Sequence, residues 1–264
     1  MASRLASFVL VLGLLACHGR ASPAPDLPPP PPHPHGQALW RIVHGECVPG
    51  EVATRQPAPC IAVDLSEGEA RGYAVLKDLH GAEQFLVMPT ADVTGIEDPR
   101  LLQVQAPAYF VDAWSSRHFV EARLGKAMPR QDMAVSVNSL YGRSQDLLHL
   151  HVDCLTPEAK TAIAALVPRL GQNWSKSPIT LNGHPYFALR LEGETPPADP
   201  FRLLADGMVG ARQAMGAWTL VLAGAEVDGQ PGFVLLANRA DPVRLDFASG
   251  EELQDHECAL ARIG

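Results

Sequence analysis

Residues 138–154 read Asn-Ser-Leu-Tyr-Gly-Arg-Ser-Gln-Asp-Leu-Leu-His-Leu-His-Val-Asp-Cys, and polar and apolar residues alternate toward the end. In an extended chain that alternation puts His149, His151 and Asp153 on one face. Leu148, Leu150 and Val152 take the other. Three polar groups in a row need partners if they are buried. A plain solvent-facing strand favours threonine, lysine and glutamate over paired histidines. Neutral imidazole is a good nucleophile at phosphorus and titrates near neutral pH. A phosphoryl group also needs donors for its oxygens, and a second histidine, Gln145, the Ser144 hydroxyl and loop amides can supply them. The competing chemistry is a metal site, with His-x-His and Asp153 as a facial ligand set. No further ligand stands out, so neither a metal nor another cofactor is expected.

Holding these groups requires a sheet. Met133–Asn138 and Leu147–Cys154 read as two strands joined by a polar loop containing Gly142. Before them, Gly72–Lys77 and Glu83–Met88 form a hairpin around Gly81, ended by Pro89. Leu39–Val43 reads as a first helix. Pro107–Leu124 reads as one helix, with Phe110, Ala113 and Trp114 on one face and Gly125 closing it. Further on, Pro157–Leu170 and Pro200–Met215 read as helices, and His184–Leu191, Trp218–Ala223 and Gly232–Ala237 as strands. Strand, helix, strand, strand thus recurs, around 83–154 and 184–237. The expected architecture is α+β, an antiparallel sheet with packed helices. The strand of the second half that matches the histidine strand reads Gly-Phe-Val-Leu-Leu-Ala. One active centre per chain is therefore expected.

The ends and the cysteines indicate a compartment. Arg4 precedes an apolar run, Leu5–Ala16, too short for a comfortable membrane span and suited to an export signal. Leu14-Leu15-Ala16-Cys17 resembles a bacterial lipobox, which makes Cys17 a lipidation candidate. Cleavage after Ala21 and an uncleaved anchor are the alternatives. Residues 22–36 hold eight prolines, five of them consecutive, and read as a semi-rigid spacer. His33 and His35 lie within it with no closed site around them. The expected layout is a signal over 1–16, a linker over 17–38 and one folded domain over 39–264. That domain divides into a catalytic half, 39–155, and a degenerate half, 156–264. Four further cysteines allow three pairings in an oxidising compartment. Cys47–Cys60 and Cys154–Cys258 are favoured, and Cys154 is read as a disulfide partner rather than a nucleophile. The chain has 264 residues, net charge −8 and mean hydropathy +0.01. These values argue against a dedicated nucleic-acid binder and a multi-span membrane protein.

Several segments together carry a resemblance. They are Leu39-Trp40-Arg41-Ile42-Val43-His44-Gly45-Glu46-Cys47, Pro57–Cys60, Tyr73–Asp78, Leu86–Thr90, Gly142–Gln145 and Glu251–Cys258, beside the histidine strand. With these the chain resembles the histidine triad (HIT) superfamily, and within it the bacterial CDP-diacylglycerol pyrophosphatase family. The resemblance implies a HIT-like fold, with two half-repeats forming a pseudo-dimer within a monomer, or a homodimer. It implies hydrolysis of CDP-diacylglycerol to CMP and phosphatidate through a nucleotidyl-histidine intermediate, with no required metal. It also implies a membrane-anchored enzyme of the bacterial cell envelope, facing the periplasm. A broader nucleotide pyrophosphatase or nucleotidyltransferase is the alternative activity, and a nucleotide- or lipid-binding lipoprotein the non-catalytic one.

The HIT pattern has an asparagine thirteen residues before the middle histidine and a glutamine six before it. Asn138 and Gln145 fit that spacing for His151, which makes His151 the nucleophile and His149 the first histidine. Asp153 then stands where a third histidine is usual, as a substrate-side polar group. The alternative register makes His149 the nucleophile. Lys77 is a candidate phosphate contact, equally readable as a solvated strand-end lysine. His44 is readable as reaching the site or as an ordinary helix-face histidine, Met88 as core or base-pocket lining, and His256 as structural.

Overall fold

The computed structural model describes residues 36–262. The export segment, Cys17, His33 and His35 lie outside them. The first helix runs as α1 (Ala38–Ile42), a π-helical turn, and α2 (Val48–Thr54). It is longer than the short helix expected from Leu39–Val43. Three strands follow, β1 (Ala62–Asp64), β2 (Tyr73–Lys77) and β3 (Phe85–Pro89), then helices α3 (Tyr109–Ser115) and α4 (Arg117–Leu124). Sequence periodicity reads these two helices as one. The Ser116 hydroxyl donates back to Asp112 O, and such back-bonding bends helices. Gly125 then closes α4 with a left-handed φ of 67°, a conformation that glycine adopts without a steric cost.

The central pair is β4 (Met133–Val137) and β5 (Leu150–Leu155). Next come α5 (Pro157–Leu166), β6 (Ile179–Leu181), β7 (His184–Glu192), α6 (Pro200–Gly207), β8 (Trp218–Val227), β9 (Gln230–Arg239) and β10 (Gln254–Asp255). The helix expected to reach Met215 stops at Gly207. Met208 turns extended, and Gly210 adopts a left-handed φ. Glycines are poor helix interiors.

The strands form a ten-stranded sheet in the order β1-β2-β3-β5-β4-β8-β9-β7-β6, with β10 pairing on β5. Every pairing is antiparallel. The order reads symmetrically about the β4–β8 contact: β4, β5, β3, β2 on one side and β8, β9, β7, β6 on the other. The connections match as well, a hairpin followed by a helical excursion and then a second hairpin.

Alternation along the strands separates two faces. Phe85, Val87, Leu148, Leu150 and Val152 join one core with Phe110 and Trp114 of α3 and Phe201 and Leu204 of α6. Within it Trp114 meets Phe233 edge-on at 4.9 Å between ring centroids. Leu86 and Met88 face the other way and pack on Leu39, Val43 and Val48. The α5 residues Ala159 and Ile163 cover the second half of that same face. Among the described residues no helix is long and apolar enough to cross a membrane.

Candidate active site

The face beneath α1 carries a cavity of about 560 Å³, lined among others by His149, His151, Asn138, Gln145, Ser144, Lys77 and Glu251. His149 and His151 are only 6% and 5% exposed, so their strand face is not a solvated one. Their ring centroids are 5.0 Å apart. His149 Nδ1 donates to Leu147 O at 2.7 Å. That bond assigns the proton of the neutral ring to Nδ1 and leaves Nε2 as the lone-pair nitrogen. Burial pushes His149 below the usual histidine range, partly offset by this hydrogen bond. Burial and then the neighbouring His149 hold His151 well below that range. Neither ring nitrogen of His151 has a hydrogen-bond partner, although Glu251 Oε2 lies 3.3 Å from Nδ1. A buried, unsatisfied imidazole marks a group kept ready for a ligand.

Glu251 belongs to a segment, 249–258, that crosses the sheet like a strap. Gly250 lies against β4: a Cβ there would stand 2.6 Å from Ser136 Cβ, so the close approach requires glycine. Gly250 N and Ser249 Oγ donate to Asn138 Oδ1, and Asn138 Nδ2 donates to Glu251 Oε1 at 2.8 Å. Asn138 thus sets the Glu251 carboxylate beside His151. Gln254 donates to Ala134 O and His151 O, and accepts from Ser136 Oγ.

Asp153 does not reach the cavity. It is fully buried and accepts from His256 Nδ1 at 2.7 Å and from the Cys154 amide. Its placement as a substrate-side group is therefore corrected: it anchors the strap. Burial raises its carboxyl to about 6 against the pull of these hydrogen bonds. The Asp153 carboxylate in turn raises His256 above the usual histidine value. Cys154 and Cys258 are disulfide-bonded next to this pair, and Cys47 is bonded to Cys60.

Gln145 has a positional task. Its Oε1 accepts from Ala38 N and Leu39 N, two first-turn donors of α1 that otherwise lack intrahelical partners. The α1 wall of the cavity is thus tied to the loop that precedes the histidines. Gln145→Ala is expected to cost about 1 kcal/mol, as loss of a helix cap does, in denaturant unfolding, and to raise KM as α1 loosens. Lys77 Nζ donates to the carbonyls of Asp78 and Gly81, so it pins the β2–β3 turn at the cavity edge. Ser144 is an exposed lining residue. His44 turns to Thr90 O at 2.8 Å, and Met88 is core. Arg143 is anchored to Glu97 and Asp146, which fixes the loop carrying Ser144 and Gln145.

Sequence reasoning did not select Glu251, Gln84 or His80 for the site. Gln84 is fully buried, its Nε2 3.5 Å from Glu251. His80 lines the cavity mouth. The Glu251–Cys258 segment was the available signal for Glu251; the other two carried none. Among the described residues no three His, Cys, Asp or Glu side chains gather as a metal-binding group.

The model of one sequence family, described as CDP-diacylglycerol pyrophosphatase, matches residues 34–262. A protein of Yersinia pestis named CDP-diacylglycerol pyrophosphatase is 41% identical over 227 residues, covering 86% of this chain and 85% of that protein. The match contains the histidine strand, the α1 wall and the strap alike, and on it the chain belongs to the CDP-diacylglycerol pyrophosphatase family.

Proposed function

We propose that the chain hydrolyses CDP-diacylglycerol to CMP and phosphatidate, with His151 as the nucleophile. The observation that carries the assignment is the buried imidazole of His151, unpartnered at both nitrogens and facing a cavity. With its proton on Nδ1 toward Glu251, the Nε2 lone pair attacks the phosphorus of the cytidylyl group. The Nε2–P bond forms as the P–O bond to phosphatidate breaks. Water then cleaves the N–P bond, releases CMP and returns neutral His151. His149 Nε2 faces the same centre. An anionic pyrophosphate counters the burial that depresses His149, so the bound complex favours a protonated Nε2 able to donate to a phosphoryl oxygen. Spread over two imidazoles and a carboxylate, the roles of binding charge, attacking and orienting stay separate.

The mirrored strand order supports a HIT-like pair of half-repeats fused in one chain. The second half supplies no second histidine pair, since β9 reads Gln-Pro-Gly-Phe-Val-Leu-Leu-Ala-Asn-Arg. The apolar run before Cys17 and the proline spacer support an anchored enzyme in the bacterial envelope, its catalytic domain in the periplasm, where two disulfides are stable. One chain carrying both halves is read as sufficient for the activity.

The reading is tested by rapid acid-free quenching of enzyme mixed with substrate labelled in the cytidylyl phosphate. The expected result is protein-bound label that is stable to base and labile to acid, the behaviour of a phosphoramidate. The label should appear no later than phosphatidate and decay to CMP. Turnover with label going straight to CMP, and none on protein at any time, refutes the covalent route.

A further inference from the structure

We propose that the turn over residues 241–247 docks on a phospholipid bilayer and brings the cavity mouth to the membrane surface. The inference rests on the assignment of a lipid nucleotide as substrate and names the surface that meets its source. Three apolar residues in five positions face solvent there: Val243 is 93% exposed, Leu245 78% and Phe247 37%. Single exposed apolar residues are common on soluble proteins, but a cluster points to a partner. Leu79, equally bare at the other edge of the cavity, sits alone between Asp78 and His80.

The turn is built to present these side chains. Asp241 and Asp246 close it with a two-residue β-bridge. Asp241 Oδ1 accepts from the amides of Val243 and Arg244, and Asp246 is held by His184 at 2.8 Å. Both carboxylates are thus engaged within the protein. Leu245 has a left-handed φ of 56°, a conformation costly for a residue with a Cβ and kept where the fold imposes it. Arg244 projects outward, its side chain 81% exposed and 3.6 Å from Asp241. An apolar tip carrying an exposed arginine matches the layering of a bilayer surface, with acyl chains beneath and anionic phosphates above.

The turn also stands at the right place. Phe247 stacks on Tyr141 at 6.0 Å. The next residue, Gly142, lines the cavity, and Ala248 passes close beside it. Four residues past Phe247 the chain reaches Glu251. A cavity of about 560 Å³ suits a nucleotide headgroup. The two acyl chains of the substrate have to remain outside it, in the bilayer against which this lip rests.

The test uses the full chain and vesicles of equimolar phosphatidylcholine and phosphatidylglycerol. A Val243→Trp variant is compared with its parent on vesicles with and without brominated acyl chains, which quench indole at acyl depth. Extra quenching in the variant supports docking. Emission of residue 243 unaffected by brominated lipid overturns it. A blue shift that grows with protein concentration in the absence of vesicles points to a second copy on this face and also overturns it. A Val243→Asp/Leu245→Asp double variant is then assayed on vesicle-borne CDP-diacylglycerol and on soluble CDP-glycerol. The ratio of the two kcat/KM values is expected to fall at least about tenfold, because an acidic tip is repelled by anionic lipid. An unchanged ratio in a variant that turns over CDP-glycerol overturns the proposal. Wild-type turnover of CDP-glycerol without turnover of the lipid defeats the substrate assignment instead, while the tryptophan measurement still decides docking.

Discussion

His151→Ala is expected to lower kcat for CMP release by at least about 10⁴-fold, the scale of losing a covalent nucleophile. The loss should not come from unfolding. The His151 ring nitrogens hold no hydrogen bonds, and the ring borders an existing cavity, so truncation leaves no buried group newly unpaired. Circular dichroism and the unfolding midpoint should stay near wild type. His149→Ala is expected to cost less, roughly 10²–10³-fold, as loss of a charge-stabilising donor does. The reverse ranking would make His149 the nucleophile and adopt the other register. The pH profile carries the same information. His151 is held well below the usual histidine value by burial and then by His149. It therefore stays neutral and nucleophilic as pH falls through about 6.5, where a free imidazole takes up its proton. The acid limb of kcat/KM, which reports the free enzyme, should lie below that point. The same shift has a stability sign. Below about pH 6.5 the unfolded chain binds protons at these histidines that the folded chain does not, so their contribution to stability declines as pH falls.

Cys154→Ser/Cys258→Ser is expected to impair stability and chemistry together. The bond spans a sequence separation of 104, and loss of such a loop constraint is worth about 5 kcal/mol in the chain-entropy account. The strap then rests on the two-residue β10 pairing, on backbone bonds from Ala82, Glu83 and Thr156 to its carbonyls, and on its side-chain bonds. If it lifts, Glu251 leaves His151, Gln254 leaves the His151 carbonyl, and Asp153 loses His256. An unpaired carboxylate in a fully buried position is costly. A fall in kcat of about 10²-fold is expected, the effect of a lost orienting carboxylate, along with a lower melting temperature. Cys47→Ser/Cys60→Ser separates the two effects. Its loop is short, a separation of 13, and it braces the helices of the apolar wall rather than the histidines. That variant should change KM more than kcat. Equal kcat values for oxidised protein and for folded protein lacking Cys154–Cys258 would show that the strap stays in place without the bond.

The alternation at 147–154 was legible because one strand face carries its message in adjacent residues. The two histidines meet the cavity on the face that parity assigns them, although β5 begins only at Leu150. Asp153 obeys the same parity, yet lies beyond the cavity under a segment that no local pattern places there. Glu251 and His256 reach the histidine strand from about a hundred residues away, and neither spacing nor periodicity encodes that meeting. Gln145 was readable as a polar residue near the histidines, but its use as a cap for α1 depends on a tertiary contact. The helix over-readings have local causes, at Ser116 a hydroxyl bonding back to the chain and beyond Gly207 an extended Met208 followed by the left-handed Gly210. The paired cysteines match the favoured pairing because the strap and the α1–α2 corner each bring one pair within reach.

The strap also sets a schedule. Its cystine joins Cys258 to Cys154 across a sequence separation of 104. A nascent polypeptide therefore carries the histidine strand long before it carries the residues that face it. Full activity is then expected only once the strap has followed and an oxidant has closed the loop between Cys154 and Cys258. In surroundings that keep thiols reduced, the chain is expected to fold with a loose strap and to turn over its substrate more slowly.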